Sequence, residues 1–236
     1  MHRRTIAGII LGAALGLTAM VLGCGGSGGG SADDDGGGAA WHTTYSTDFA
    51  SDPAWTSSNA LELYWDSTAK TYHGHQMNSN ASYAYKVVSN SVGRNFRLTY
   101  DLRINSAALT TGCTFGLSDA TNLYPSGGVF TDTSWDAGGL GWTAASPAAS
   151  HTDYATPWSI GVWYTIQVTY DKVADTLTYT AKVKATGTLT SNFTVSAVGT
   201  LPLTMHRLEL TRLHMAAGGA GTVDYDLDNV RLEEYY

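Results

Sequence analysis

Apolar and polar residues alternate with period two from Ile160 to Lys184. Val162, Tyr164, Ile166, Val168 and Tyr170 fall on one face, and Trp163, Thr165, Gln167 and Thr169 on the other. After a polar turn at Asp171–Asp175 the alternation resumes, with Leu177, Tyr179, Ala181 and Val183 against Thr176, Thr178, Thr180 and Lys182. Period two with β-branched and aromatic residues predicts an antiparallel hairpin with one buried face. Asn95–Ile104 repeats the pattern: Phe96, Leu98, Tyr100, Leu102 and Ile104 point one way, Arg97, Thr99, Asp101 and Arg103 the other. Weaker alternation predicts strands at Trp41–Phe49, Leu61–Trp65, Ala69–His75, Ser82–Val88, Gly112–Ser118, Ser191–Val198, Met205–Met215 and Thr222–Leu232. No stretch carries a helical period, so the expected class is all-β, a two-sheet antiparallel sandwich.

Two late strands change parity. Leu208 and Leu210 give way to Leu213 and Met215, and Val223, Tyr225 and Leu227 to Val230 and Leu232. Each change predicts a β-bulge, near Thr211-Arg212 and at Asp228-Asn229. Between Asp119 and Trp158 the alternation disappears among glycines and prolines, which reads as a long loop of the kind that carries function.

The N-terminus adds an address. A basic head, Met1-His2-Arg3-Arg4, precedes an apolar run from Ile6 to Leu22, the layout of an export signal. Val21-Leu22-Gly23-Cys24 resembles the lipobox of bacterial lipoproteins. The resemblance implies a signal peptide over residues 1–23, lipidation of Cys24, and attachment to the outer membrane or cell surface. Residues 24–40, rich in Gly, Ser and Asp, bury no apolar surface and read as a flexible tether, which leaves residues 41–236 as one folded domain. The formal charge is −7, and loss of Arg3 and Arg4 with the signal makes it more negative by two. With no Lys/Arg cluster, nucleic acid is excluded as a partner, and membrane contact is left to the lipid anchor. Cys113 is the one other thiol, so core burial rather than an intramolecular disulfide must hold the domain together.

The central hairpin, the strand end Gly116-Leu117-Ser118-Asp119 and the closing Asp226-Leu227-Asp228-Asn229-Val230-Arg231-Leu232 resemble the concanavalin A-like lectin/glucanase jelly rolls, laminin-G-like domains among them. The closest likeness is Trp163-Tyr164-Thr165-Ile166-Gln167-Val168-Thr169-Tyr170-Asp171, a tryptophan, alternating apolar residues and Tyr-Asp before a hairpin. The resemblance spans Tyr45 to Leu232. It implies a two-sheet jelly roll, commonly a structural Ca²⁺ at one rim, and often glycan binding. Laminarinase-like hydrolases of this superfamily carry Glu-x-Asp-x-(x)-Glu on one strand, whose alternation points the acids into one cleft. This chain has four glutamates, Glu62, Glu209, Glu233 and Glu234. Its nearest candidate strand, Arg207-Leu208-Glu209-Leu210-Thr211, has Thr211 where the second acid belongs.

Sugars offer apolar C–H faces edged with hydroxyls, so a site for them needs flat rings beside Asp, Asn or Gln. The candidates are Trp163 and Gln167 on the polar side of the hairpin, Trp135, Asp136 and Trp142 in the long loop, and Trp65 and Tyr85 earlier. Asp48, Asp226 and Asp228 are the candidate ligands for Ca²⁺, provided the terminal strands pair. His73 and His75 share a strand face at a spacing that suits a transition metal, but without a third ligand in sequence they read as an exposed pair or one hydrogen-bonded to a neighbour. The expected function is non-catalytic recognition of an extracellular or cell-wall polysaccharide. The alternatives are a glycoside hydrolase or polysaccharide lyase using Glu209, His75 or a loop Asp, and a scaffold module that binds protein.

Overall fold

The computed structural model describes residues 39–77, 82–88, 95–107, 111–118, 123–132, 137–146, 149–196, 207–214 and 222–236. The signal and lipobox, with Cys24, lie outside them, as do Trp135 and Asp136. The described residues contain fifteen strands and no helix.

One sheet is built on the strong alternators. It contains β1 (Trp41–Thr47), β3 (Leu63–Asp66), β4 (Thr71–Met77), β6 (Asn95–Ala107), β11 (Trp163–Asp171), β12 (Thr176–Val183), β13 (Leu189–Ser196) and β15 (Thr222–Tyr235). Its order is β13-β12-β11-β6-β15-β4-β3. One edge of β15 is shared: Thr222–Leu227 pair with β4, and Val230–Tyr235 pair with β1. The second sheet contains β2 (Thr56–Ser57), β5 (Tyr83–Val87), β7 (Thr111–Ser118), β8 (Leu123–Asp132), β9 (Ala137–Ser146), β10 (Ala149–Pro157) and β14 (Arg207–His214), in the order β10-β9-β8-β7-β14-β5-β2.

The predicted faces are the observed ones. Leu98, Tyr100, Leu102 and Ile104 of β6, Tyr164, Ile166, Val168 and Tyr170 of β11, and Val223, Tyr225 and Leu227 of β15 are buried between the sheets. From the second sheet Ala84, Phe115, Leu117 and Leu208 meet them. Aromatic rings bridge the layers. Trp55 stacks on Phe115 at 5.7 Å, and Phe115 meets Tyr100 edge-on at 4.9 Å, a geometry that adds about 0.5–1.5 kcal/mol per pair beyond burial.

The bulge at Asp228-Asn229 is present. The β15–β6 register shifts between Asp228 and Arg231, and Asn229 takes a positive φ of 49°, a conformation Asn tolerates better than most residues. The bulge expected at Thr211-Arg212 is absent: β14 runs in unbroken register with β7 from Arg207 to His214. The long loop expected from Asp119 to Trp158 is largely a meander of three strands, β8, β9 and β10. Backbone hydrogen bonds alone define a ladder, and these Gly-, Ala-, Ser- and Thr-rich segments offer too few apolar side chains to alternate. Pro125 lies within β8, where the register with β7 shifts between Gly116 and Ser118. Such an irregularity absorbs a residue that cannot donate to the ladder.

Candidate functional site

The outer face of the β15-containing sheet is polar across its width, and its register lines side chains up in rows. One row crosses five strands: Trp163 of β11 pairs with Arg103 of β6, Arg103 with Asp226 of β15, Asp226 with His73 of β4, and His73 with Tyr64 of β3. Every step is an interaction. The Arg103 guanidinium lies 4.8 Å from the Trp163 ring centre and donates from Nη2 to Asp226 Oδ2 at 2.6 Å. Asp226 Oδ1 is 2.9 Å from His73 Nδ1, and the His73 and Tyr64 rings are 5.1 Å apart. Lys184, just beyond β12, lies 5.3 Å from the same indole and pairs with Asp101 at 2.7 Å.

The neighbouring row carries Thr165, Asp101 and Asp228. Thr165 Oγ1 donates to Asp101 Oδ1 at 2.5 Å, and the Asn229 amide donates to Asp101 Oδ2 at 2.8 Å. The bulge thus turns Asn229 onto a buried carboxylate. Gln167, one row further, donates to Thr99 Oγ1 at 3.2 Å.

Asp226 is 4 % exposed yet ionised. Burial pushes its carboxyl up, but hydrogen bonds from His73, Arg103 and Asn105 pull it well below the usual carboxylate range. The hydrogen bond with Asp226 raises the His73 imidazole above its ordinary value, against the opposing effect of burial. Asp228 moves the other way, raised chiefly by burial.

The aspartates expected as calcium ligands are met by protein donors. Asp226 Oδ1 accepts from Thr71 and His73, and Oδ2 from Arg103 and Asn105, which leaves no lone pair facing an ion. Asp228 accepts from the Asn229 backbone and side chain. Asp48, exposed after β1, accepts from the Ala50 amide and lines a cleft of about 400 Å³ with Ser46, Thr47, Asn229, Val230 and Arg231. Calcium needs about 6–8 oxygens around one centre, and among the described residues no three acidic or imidazole groups surround one.

The aromatic candidates are dispersed. Trp163 is half-buried on this outer face. Trp65, on β3, packs against the core and donates from Nε1 to the Phe49 carbonyl at 2.9 Å. Tyr85 belongs to the other sheet, paired with Glu209 of β14 and 6.2 Å from the Tyr83 ring. Trp142 is placed on β9 opposite Gly127 and Asp153, and its side chain lies outside the described residues. Arg103, Asn105 and Lys184, which knit the rows together, were not singled out by sequence. The available signal was the polar alternation of β6, which already set Arg103 facing outward.

No protein-family model matches the sequence, and no curated protein matches it. Solved structures do. The CBM2 module of the evolved Dit of Lactobacillus casei BL23 phage J-1 superposes with a TM-score of 0.59 at 13% identity, over 84% of this chain and 97% of that one. A β-1,3-glucanase from Mycobacterium marinum gives 0.54 at 12%, over 81% and 98%. The fold is a concanavalin A-like jelly roll. A structure concerning botulinum neurotoxin type C, whose cell entry depends on two ganglioside molecules, gives 0.54 at 9%, over 75% of this chain and 42% of that one. At these identities the likeness is one of fold.

Proposed function

We propose that this chain is a surface-anchored, non-catalytic carbohydrate-binding lipoprotein. Lipidated Cys24 and the 24–40 tether hold the jelly roll to the outer membrane or cell surface, where it engages extracellular or cell-wall polysaccharide. The observation that carries the reading is the outer-face row beginning at Trp163. It sets a half-buried indole beside Arg103 and Lys184, with Thr165, Gln167, Thr99, Asp101 and Asn105 on the same face. Aromatic carbon beside a dense set of donors and acceptors suits the alternating C–H and hydroxyl surfaces of a sugar. A carbohydrate-binding module and a glucanase among the proteins that share the fold support a glycan as partner.

Binding is favoured over hydrolysis by the surroundings of Glu209. Its ladder partners are Tyr85 and Gly116, and Thr211 follows it on the same face, so among the described residues none of these neighbouring positions offers the second carboxylate of a glycosidase's acid pair. The test is a panel of polysaccharides offered to residues 38–236, scored for retention and for new reducing or unsaturated ends. Retention without product, lost in Trp163→Ala, is the expected result. Product release overturns the non-catalytic reading. Absence of retention on every glycan favours the scaffold alternative.

A further inference from the structure

The structure supplies the third ligand that His73 and His75 lack in sequence. The β4–β15 register sets Asp224 opposite His75 and Asp226 opposite His73. Asp224 Oδ2 lies 3.1 Å from His75 Nδ1 and 3.7 Å from His73 Nε2. One carboxylate oxygen therefore faces a nitrogen of each imidazole.

We propose that His73, His75 and Asp224 bind a divalent transition metal of the zinc class, through His73 Nε2, His75 Nδ1 and Asp224 Oδ2. Donor atoms about 2.0–2.1 Å from a tetrahedral ion lie about 3.3–3.4 Å from one another. The two distances at Asp224 Oδ2 bracket that spacing. Among the described residues no three such groups are already arranged around a common centre. In the metal-free state the His75–Asp224 contact is a hydrogen bond, and the ion takes the place of its proton as His73 Nε2 moves a few tenths of an ångström toward Asp224 Oδ2.

The supporting shell is what a metal-bound histidine requires. A ligating imidazole generally gives its other N–H to a carboxylate, which fixes the tautomer and the ring plane. His73 does this through Nδ1 to Asp226 Oδ1 at 2.9 Å, which turns Nε2 toward Asp224. Asp226 is in turn held by Arg103 and Asn105. Asn105 also donates to Asp224 Oδ1 at 2.9 Å, which orients that carboxylate and leaves Oδ2 for the metal. The donor set of two nitrogens and one oxygen favours Zn²⁺, Cu²⁺ or Ni²⁺ over calcium or magnesium. His75 is about half exposed, so the fourth position opens to solvent.

The experiment titrates the full chain, stripped with EDTA, with Zn²⁺ and separately with Co²⁺. One equivalent of Zn²⁺ by equilibrium dialysis is expected, and the Co²⁺ form should show the intense visible bands of a four-coordinate ion. His75→Ala and Asp224→Ala should each weaken Zn²⁺ binding by more than 100-fold. Asp226→Asn, which removes no ligand, should weaken it by about 10–100-fold. Thermal unfolding in EDTA checks that each variant is folded, and the exposed His75 can also be changed to Gln. No bound equivalent, or one that persists unchanged in folded His75→Ala or His75→Gln, overturns the proposal.

Discussion

Gly74 of β4 faces Tyr225 of β15 across the ladder, and the tyrosine ring fills the space that a Cβ on Gly74 would occupy, overlapping both ring carbons and the hydroxyl. Tyr225 is fully buried and has no room to retreat. Gly74→Ala should therefore destabilise the domain by about 3 kcal/mol, the upper part of the range for overpacking a core. Adding Tyr225→Leu should recover part of that loss, because the two side chains compete for one volume. Denaturant midpoints of the single and double variants check both expectations.

Arg103 holds the outer face together through a carboxylate that water barely reaches. Arg103→Met keeps the aliphatic stem and removes the charge, leaving Asp226 with His73, Asn105 and Thr71 as donors. Stranding one partner of a fully buried ion pair costs about 3–5 kcal/mol. Here the Arg103 side chain is 33% exposed and three donors remain, so about 2 kcal/mol is the expected loss. Chemical denaturation of the variant measures it.

Asn229 serves the bulge in two ways, and two substitutions separate them. Asn229→Gly keeps the left-handed backbone at ease but loses the amide bond to Asp101, at a cost of about 1 kcal/mol. Asn229→Ala loses the same bond and also strains φ, for a total of about 2 kcal/mol. Equal effects in thermal unfolding would show that the conformation at 229 carries no cost.

Tyr72 ties stability to alkaline pH. Burial, and then the charge of Asp52, raise its phenol well above the ordinary value of 10.0 against a hydrogen bond from Ser57; burial raises Tyr45 and Tyr170 as well. Below pH 10 these phenols are neutral in both the folded and unfolded chain and their contribution is fully present. Above it the unfolded chain releases protons that the folded one retains. Stability then falls as pH rises, by up to about 1.4 kcal/mol per pH unit for each such group. Tyr72→Phe should make the decline between pH 10 and 11.5 shallower by one group's share, as read from denaturant midpoints.

The strands that were legible in sequence are those whose burial is one-sided. β6, β11, β12 and β15 alternate because one face meets the core and the other meets water, and period two records this directly. The slip at Asp228-Asn229 was legible for the same reason. β8 to β10 were not, since Leu123–Asp132 and Ala137–Ser146 are built largely from glycine, alanine and hydroxyl residues that mark neither face. The outer-face rows were half legible. Alternation showed that Trp163, Arg103, Asp226 and His73 point away from the core on their own strands. That they stand side by side follows from pairing between strands as much as 153 positions apart, as for His73 and Asp226. Nothing local announces such a register, which is why Asp224 was not connected to the histidines and Asp226 was assigned to calcium.

β15, the last of the described strands, is also an interior strand of its sheet. β15 joins β6 on one side to β4 and β1 on the other. Until Thr222–Tyr235 has been synthesised, the β6–β13 half has no ladder to the β3–β4 hairpin, and β1 has no partner in the sheet. Closure therefore depends on contacts between opposite ends of the chain, the kind that makes folding slow. Assembly waits on β15: each new molecule must keep several unpaired strand edges from meeting a neighbour until these fourteen residues are made.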